Sequence, residues 1–285
     1  QRWQRRRSLY TRGRSPPIMN NKPIQTASNT PSQHAGGIHI KSKQELDHMR
    51  LAGQITGAAL KKLRTAVVPG ITTKELDRIA EKEIRSLGAK PAFKGYMGFP
   101  GTICASVNEE IVHGIPGKRV LEEGDLFKVD CGATINGFIG DSALSLAVGE
   151  IEPEVEQLSK ITREALYAGI AEAQVGNRIG DIGAAVQAIA EKHGYGLVTG
   201  YTGHGVGRFL HEEPQVPNYG RAGRGIILKA GMCIAIEPMF NLGTAETLVL
   251  DDQWTVITAD YSVSSHHEHT IAITENGPEI LTVNE

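Results

Sequence analysis

Five residues could carry out chemistry together: Asp130, Asp141, His204, Glu237 and Glu268. They offer four carboxylates and one imidazole. Hard oxygen donors with a single nitrogen suit a pair of borderline divalent ions (Mn, Fe, Co or Zn) rather than a thiolate zinc site. Carboxylates can bridge, which allows two metals roughly 3.5–4 Å apart that acidify bound water and stabilise developing oxyanion charge. That chemistry is hydrolytic.

The tract Ser264-Ser265-His266-His267-Glu268-His269-Thr270 looks at first like a histidine-rich metal site. A strand period of two divides it. His266, Glu268 and Thr270 share one face, His267 and His269 the other, so only His266 stands beside the carboxylate. Glu237 closes the apolar run Met232-Cys233-Ile234-Ala235-Ile236. An acid there is costly unless paired or metal-bound. His204 and His211 lie seven apart in GHGVGRFLHEEP, a loop whose glycines permit close backbone approach. A lone histidine is more often structural than a ligand, and Glu212 and Glu213 read as ordinary surface acids.

The two aspartates need a hairpin. In LFKVDCGATINGFIGDSALSLAV, residues 126–148, Asn136-Gly137 is the preferred type I′ pair. With the turn there, facing residues have numbers that sum to about 273 by the pairing rule. Phe127, Val129, Cys131, Ala133 and Ile135, with Phe138, Leu144, Leu146 and Val148, then form the core face. Asp130 and Asp141 meet as diagonal neighbours on the other face, roughly 7 Å apart at the backbone. One aspartate in a strand is usually solvated; two on one face, flanked by Gly and Ala, invite a cation.

Around this hairpin the chain predicts paired helices. Ser42-x-x-Glu45 and Thr72-x-x-Glu75 are capping boxes. The first opens a helix with Leu46, Met49, Leu51, Ile55, Ala59, Leu60 and Leu63 on one face, ending before Pro69-Gly70; the second helix stops at Gly88. Helices over 154–174 and 180–193 repeat the passage. Shifted by 106, Gly70 falls on Gly176, Leu76 on Ile182, Ala80 on Val186 and Gly88 on Gly194, which suggests two similar halves. Strand-rich stretches are expected over 101–107, 126–148, 195–201, 226–239, 246–258 and 266–274. Helices alternating with hairpin-like strand pairs predict an α+β domain with a largely antiparallel sheet.

The 285 residues carry a net charge of -2 and 40% hydrophobic residues, with no basic field for nucleic acid such as DNA and no apolar run of membrane length. The three separated cysteines fit a reducing compartment. Residues 1–40 hold six arginines, one lysine and no acid, so residues 1–41 read as a basic disordered extension and 42–285 as the catalytic domain. The extension is an organelle transit peptide, an RNA-contacting arm, or a segment upstream of a start at Met19. The cytoplasm is the expected location, an organelle the alternative.

From about residue 43 to 285 the sequence resembles the type I methionine aminopeptidases, enzymes of the pita-bread fold. The resemblance rests on Ser106-Val107-Asn108-Glu109, His113-Gly114-Ile115-Pro116, the Asp130/Asp141 pair, Gly203-His204-Gly205-Val206-Gly207, His211-Glu212-Glu213-Pro214, Ile236-Glu237-Pro238-Met239, Trp254-Thr255 and Glu268-His269-Thr270. It implies two pseudo-symmetric halves around a curved antiparallel sheet with helices on the outer face. Asp130 and Glu268 would serve one metal, His204 and Glu237 the other, with Asp141 and Glu268 bridging. A bridging hydroxide would attack, with Glu237 as general base. His211 would polarise the scissile carbonyl, and His113 would hold the amide of the second residue. Tyr96, Phe99, Cys104, Phe209 and Trp254 would receive the methionine side chain. The implied substrates are the N-terminal Met peptides of nascent chains with a small second residue. A monomer is the family expectation, and the basic arm allows ribosome association. The departure is Ser265-His266-His267, where the family usually has Ala-Gln and an aromatic residue; an imidazole beside Glu268 could alter metal preference. A proline-specific peptidase of the same fold and a non-catalytic RNA- or ribosome-associated relative are the alternatives. The first normally has a large N-terminal domain, and the second would be expected to lack ligands.

Overall fold

The computed structural model describes residues 37–284; the basic stretch 1–36 lies outside them. Helix α1 (Lys43–Ala66) opens on the Ser42 box and α2 (Thr73–Ser86) on the Thr72 box, both with reciprocal side-chain and backbone bonds. Short strands β1 (Lys90–Pro91), β2 (Ile103–Val107) and β3 (Glu110–Val112) lead to β4 (Leu126–Ile135) and β5 (Phe138–Ala147). The second half repeats the order: α3 (Pro153–Ala171), α4 (Ile179–His193), then strands β6 (Gly196–Leu197) to β15 (Gly277–Ile280).

The β4–β5 register runs from Leu126 opposite Ala147 to Ile135 opposite Phe138, with Asp130 facing Ala143 and Asp141 facing Gly132. Asn136 and Gly137 both have positive φ, 52° and 76°, as a type I′ turn requires. β1 and β2 flank the outer edge of β4. β7 (Gly203–Gly205), β8 (Glu212–Val216), β9 (Cys233–Ile236) and β14 (His269–Thr274) join β15 in a five-stranded sheet ordered β15-β14-β9-β7-β8. β10 (Met239–Asn241), β11 (Thr247–Val249), β12 (Val256–Thr258) and β13 (Ser264–His266) build two small sheets with β6 and β3. Every described strand pair is antiparallel.

The 106-residue repeat is physical. Gly70 and Gly176 have φ of 96° and 91°, and Gly88 and Gly194 have 82° and 71°. Leu76, Ala80, Ile182 and Val186 are fully buried. The bridge Thr72–Val120 has its counterpart in Arg178–Ile227. Each half has its own core: α1, α2 and the β4 face in the first, and α3, α4, β9 and β14 in the second. A third cluster drawn from both halves includes Met49, Phe99, Cys104, Ile139, Leu210 and Cys233.

Several expectations need correction. The run 266–274 is not one strand: β13 ends at His266 and β14 begins at His269, leaving His267 and Glu268 in a break. Strands fill only parts of the stretches 195–201 and 226–239, as β6 and as β9 with the first residue of β10, while 246–258 holds the antiparallel pair β11–β12. β1, β3, β7, β8 and β15 were unforeseen, because Glu, Pro and Gly in them hide the period, and Gly203–Gly205, read as loop, is a strand. Leu51 faces solvent, 37% exposed. Phe138 packs in the shared cluster and against Arg208 rather than in the first-half core. Packed structure also starts before Ser42. Ile38 lies against the second-half core, and Lys41 is buried with its N–H bonded to the Gly231 carbonyl.

Candidate metal centre

All five candidate ligands converge where the halves meet. Asp130 and Asp141 come from adjacent β4 and β5. His204 is the middle residue of β7, Glu237 follows the last residue of β9, and Glu268 sits in the break before β14. The glycines beside His204 have a visible cause. A Cβ at Gly203 would run into the Ala235 carbonyl, and one at Gly205 into the Glu213 carbonyl.

His204 Nε2 lies 3.7 Å from Asp141 Oδ2 and 3.6 Å from Glu237 Oε1. Donor atoms of Asp141, His204 and Glu268 all fall within 4.8 Å of one another, close enough to hold a metal ion. His204 Nδ1 lies 2.9 Å from the Gly205 carbonyl, which can only accept. The proton therefore sits on Nδ1, and Nε2 turns a lone pair toward the carboxylates, as a ligand histidine must.

The charge balance is that of a cation site. Asp141 is pushed up to about 7 by burial, held back by hydrogen bonds from Asp130 and the Ser142 backbone. Asp130, Glu237 and Glu268 rise well above the carboxylate range, first through burial and then through mutual repulsion. Burial holds His204 down at about 4, so it adds no charge. Asp130 Oδ1, Asp141 Oδ1 and Glu268 Oε1 are buried without a hydrogen-bond partner. Buried polar atoms are rarely left so. Hard oxygens, one neutral imidazole and unpartnered lone pairs fit divalent metal.

Backbone bonds between the halves fix the geometry. Asp141 N–H donates to Thr270 Oγ1 (3.1 Å), which donates back to the Asp141 carbonyl (2.7 Å). Glu268 N–H donates to the Ala143 carbonyl at 2.8 Å, and Ser142 Oγ donates to the Glu268 carbonyl at 2.6 Å. Asn218 Nδ2 holds the Glu237 carbonyl at 3.0 Å.

The other candidates surround this cluster. The His211 ring centre is 4.3 Å from that of His204, and its Nδ1 is 2.8 Å from Tyr96 Oη. Burial, His204 and His113 hold His211 at about 2. His113 has φ of 61°, a strained value for a side-chain-bearing residue. It stacks edge-on with Tyr201, and burial lowers it to about 4. Tyr96, Phe99, Cys104 and Trp254 belong to the shared apolar cluster, with Phe99 and Trp254 edge-to-face at 5.1 Å. Phe209 stands half-buried outside that cluster.

The parity of the histidine tract survives the strand break. His266 Nε2 lies 3.7 Å from Glu237 Oε2. His267 turns away to Ser159 Oγ (3.1 Å), and His269 to Thr282 Oγ1 (2.9 Å). Glu212 is not a surface acid. It is buried, pairs with Lys41 Nζ at 2.8 Å, and accepts the N–H groups of Arg208 and Phe209. That buried pair pins the bend carrying His211. Its only trace in sequence is a lone lysine 171 positions away, which no local pattern links to it.

A sheet-built site of buried carboxylates around one imidazole suits a divalent-metal enzyme, and the chain matches "Metallopeptidase family M24" over residues 47–275. The chain belongs to this family. It is 51% identical over 247 residues to a methionine aminopeptidase of Clostridium acetobutylicum, covering 86% of this chain and 99% of that one. Methionine aminopeptidase 1 of Bacillus subtilis is 50% identical over 245 residues, with the same coverage. Among solved structures, the methionine aminopeptidase of Thermotoga maritima superposes with a TM-score of 0.85 at 45% identity, covering 86% of this chain and 99% of that one. The prolidase from Pyrococcus furiosus follows at 0.70 and 26%, with 86% of this chain but only 66% of that one covered. The pita-bread architecture is shared with both kinds of enzyme.

Proposed function

We propose that this protein is a methionine aminopeptidase that removes an N-terminal methionine by metal-assisted hydrolysis when the second residue is small. The observation that carries this is the half-identity to methionine aminopeptidases over almost their whole length. Asp130, Asp141, His204, Glu237 and Glu268 would hold two divalent ions, with Co, Mn, Fe and Zn as the fitting candidates. When bound, such ions supply Lewis acidity and a more acidic water.

The remaining chemistry belongs to side chains. Glu237, its carboxyl raised by burial and Asp141, takes a proton from the attacking water and returns it to the leaving amine. His211 uses Nδ1 toward Tyr96, which leaves Nε2–H to polarise the scissile carbonyl. His113 holds the amide of the second residue. Phe99, Cys104, Tyr96 and Trp254 form an apolar wall suited to a flexible thioether, and Phe209 is its expected fifth member. Emerging cytoplasmic chains are the substrates this assignment requires.

The test is cleavage of Met-Gly-Met against Gly-Pro substrates by the metal-loaded protein. Release of methionine from the first, and loss of activity when a bulky residue follows methionine, are expected. Cleavage only before proline overturns the reading.

A further inference from the structure

On the far side of β5 from the metal centre lies a cleft of about 420 Å3 between α1, α3 and the His267–His269 segment. Its size falls within the roughly 300–1,000 Å3 range of small-molecule sites. Arg64, Lys160 and Arg163 line it, and among its described lining residues there is no carboxylate. Ser159, Lys160, Arg163, Leu166 and Tyr167 follow helical spacing, so one face of α3 forms a wall. Leu144, Leu146, Leu166 and the Tyr167 ring supply an apolar side.

The floor is buried and hydrogen-bonded within itself. Thr282 Oγ1 accepts the Thr270 N–H and lies 2.9 Å from His269 Nδ1. His269 Nε2 faces Tyr167 Oη at 3.5 Å. His267 Nε2 meets Ser159 Oγ at 3.1 Å.

We propose that this cleft binds a phosphomonoester with an apolar or aromatic body. The phosphate sits among Arg64, Lys160 and Arg163, and the body lies on Leu144, Leu146 and Tyr167. Guanidinium forks match phosphate oxygens two at a time, and an ammonium adds a point charge. A bare phosphate would leave the apolar side uncovered. None of these residues belongs to the proposed peptidase machinery, so the site is separate from the reaction.

Isothermal titration of the metal-loaded full chain with phenyl phosphate, inorganic phosphate and phenol tests this. Saturable binding of phenyl phosphate is expected, at least tenfold tighter than either fragment. The double variant R64E/K160E should weaken it at least tenfold while retaining metal content and methionine release, which shows that the variant is folded. No saturation by phenyl phosphate at millimolar concentration overturns the proposal. So does binding that R64E/K160E leaves unchanged, since the phosphate would then sit elsewhere, as on the metals.

Discussion

In the first half of the molecule, Asp130 and Asp141 lie in the middle of a ten-residue antiparallel pair closed by a two-residue turn. In the second half, His204 lies in a three-residue strand, while Glu237 and Glu268 fall just outside the ends of β9 and β14. The same helix pair precedes both. A mid-hairpin side chain is aimed by its own ladder, so the aspartates are placed by contacts close in sequence. A strand-end side chain has no such ladder, and Glu268 is held by bonds to Ala143 and Ser142 of the other half. The first half is a frame, and the second is set against it.

The largest effect should come from the carboxylates themselves. Asp141→Ala or Glu268→Ala is expected to lower methionine release by at least about 10^3-fold, since several kcal/mol of metal assistance goes with them. Stability separates a cation site from a merely structural one. In chelator-treated protein, Asp130→Asn should raise the Tm by a few degrees, because it removes a carboxyl that burial, and then repulsion by Asp141 and Glu237, keeps from ionising in the folded state. With metal added, the same variant should lose most of the metal-induced rise shown by the parent chain. A lower Tm in the metal-free variant would contradict the repulsion.

The asymmetry between halves also sets what could be read from sequence. The hairpin register, both aspartates and the four α-helices of the described residues were legible, because turn chemistry, capping boxes and periodicity are local signals. The candidate ligands at strand ends were legible only as costly acids and glycine-flanked histidines. The break at His267–Glu268, strands β8 and β15 and the Lys41–Glu212 pair were not. Glu268 depends on Ala143 and Glu212 on Lys41, partners far away in sequence, whereas β15 pairs with the adjacent β14 and is hidden by its own glycine and proline. Parity still assigned the histidines correctly, because a two-residue break preserves the sides on which His266, His267 and His269 emerge.

The cross-half bonds give the next test. Thr270→Val removes the reciprocal pair with the Asp141 backbone and should cost about 1–3 kcal/mol. Because that pair orients the candidate ligand Asp141, metal affinity should also fall about 10–100-fold. Thr258→Val, which loses a buried bond to the Ser262 carbonyl at 2.7 Å away from the site, is the control. It should cost similar stability and leave metal affinity unchanged. Equal metal losses in both would mean that the stitching transmits nothing specific.

Packing between helix and sheet differs between the halves as well. A Cβ on Gly140 would lie 2.8 Å from the backbone of Ala52 and Gly53 in α1, which cannot yield. On Gly169 it would meet only methyl groups, Val186 Cγ2 at 3.0 Å and Ile182 and Ile236 Cγ2 at 3.4 Å. Gly140→Ala should therefore cost about 1–3 kcal/mol. Gly169→Ala should cost less than about 1 kcal/mol, since alanine's better helix propensity offsets part of the crowding. Chemical denaturation of both variants decides it, and a larger loss at Gly169 would reverse the order of rigidity.

The smallest effect lies at the matched helix starts. Thr72 Oγ1 accepts the Glu75 N–H at 3.2 Å, and Glu75 Oε2 accepts the Thr72 N–H at 2.9 Å. At the corresponding Arg178, Asp181 Oδ2 accepts the backbone N–H at 2.7 Å, but a guanidinium can return nothing to Asp181 N–H. Thr72→Ala should cost about 0.5–2 kcal/mol, and Arg178→Ala within about 0.5 kcal/mol of nothing. Arg178 already has extended backbone, φ -124° and ψ 159°, as an N-cap threonine needs. Arg178→Thr should therefore complete the second box and raise the Tm by a degree or two. A fall would mean that the exposed Arg178 Nη1 bond to the Gly225 carbonyl (2.7 Å) outweighs the missing cap.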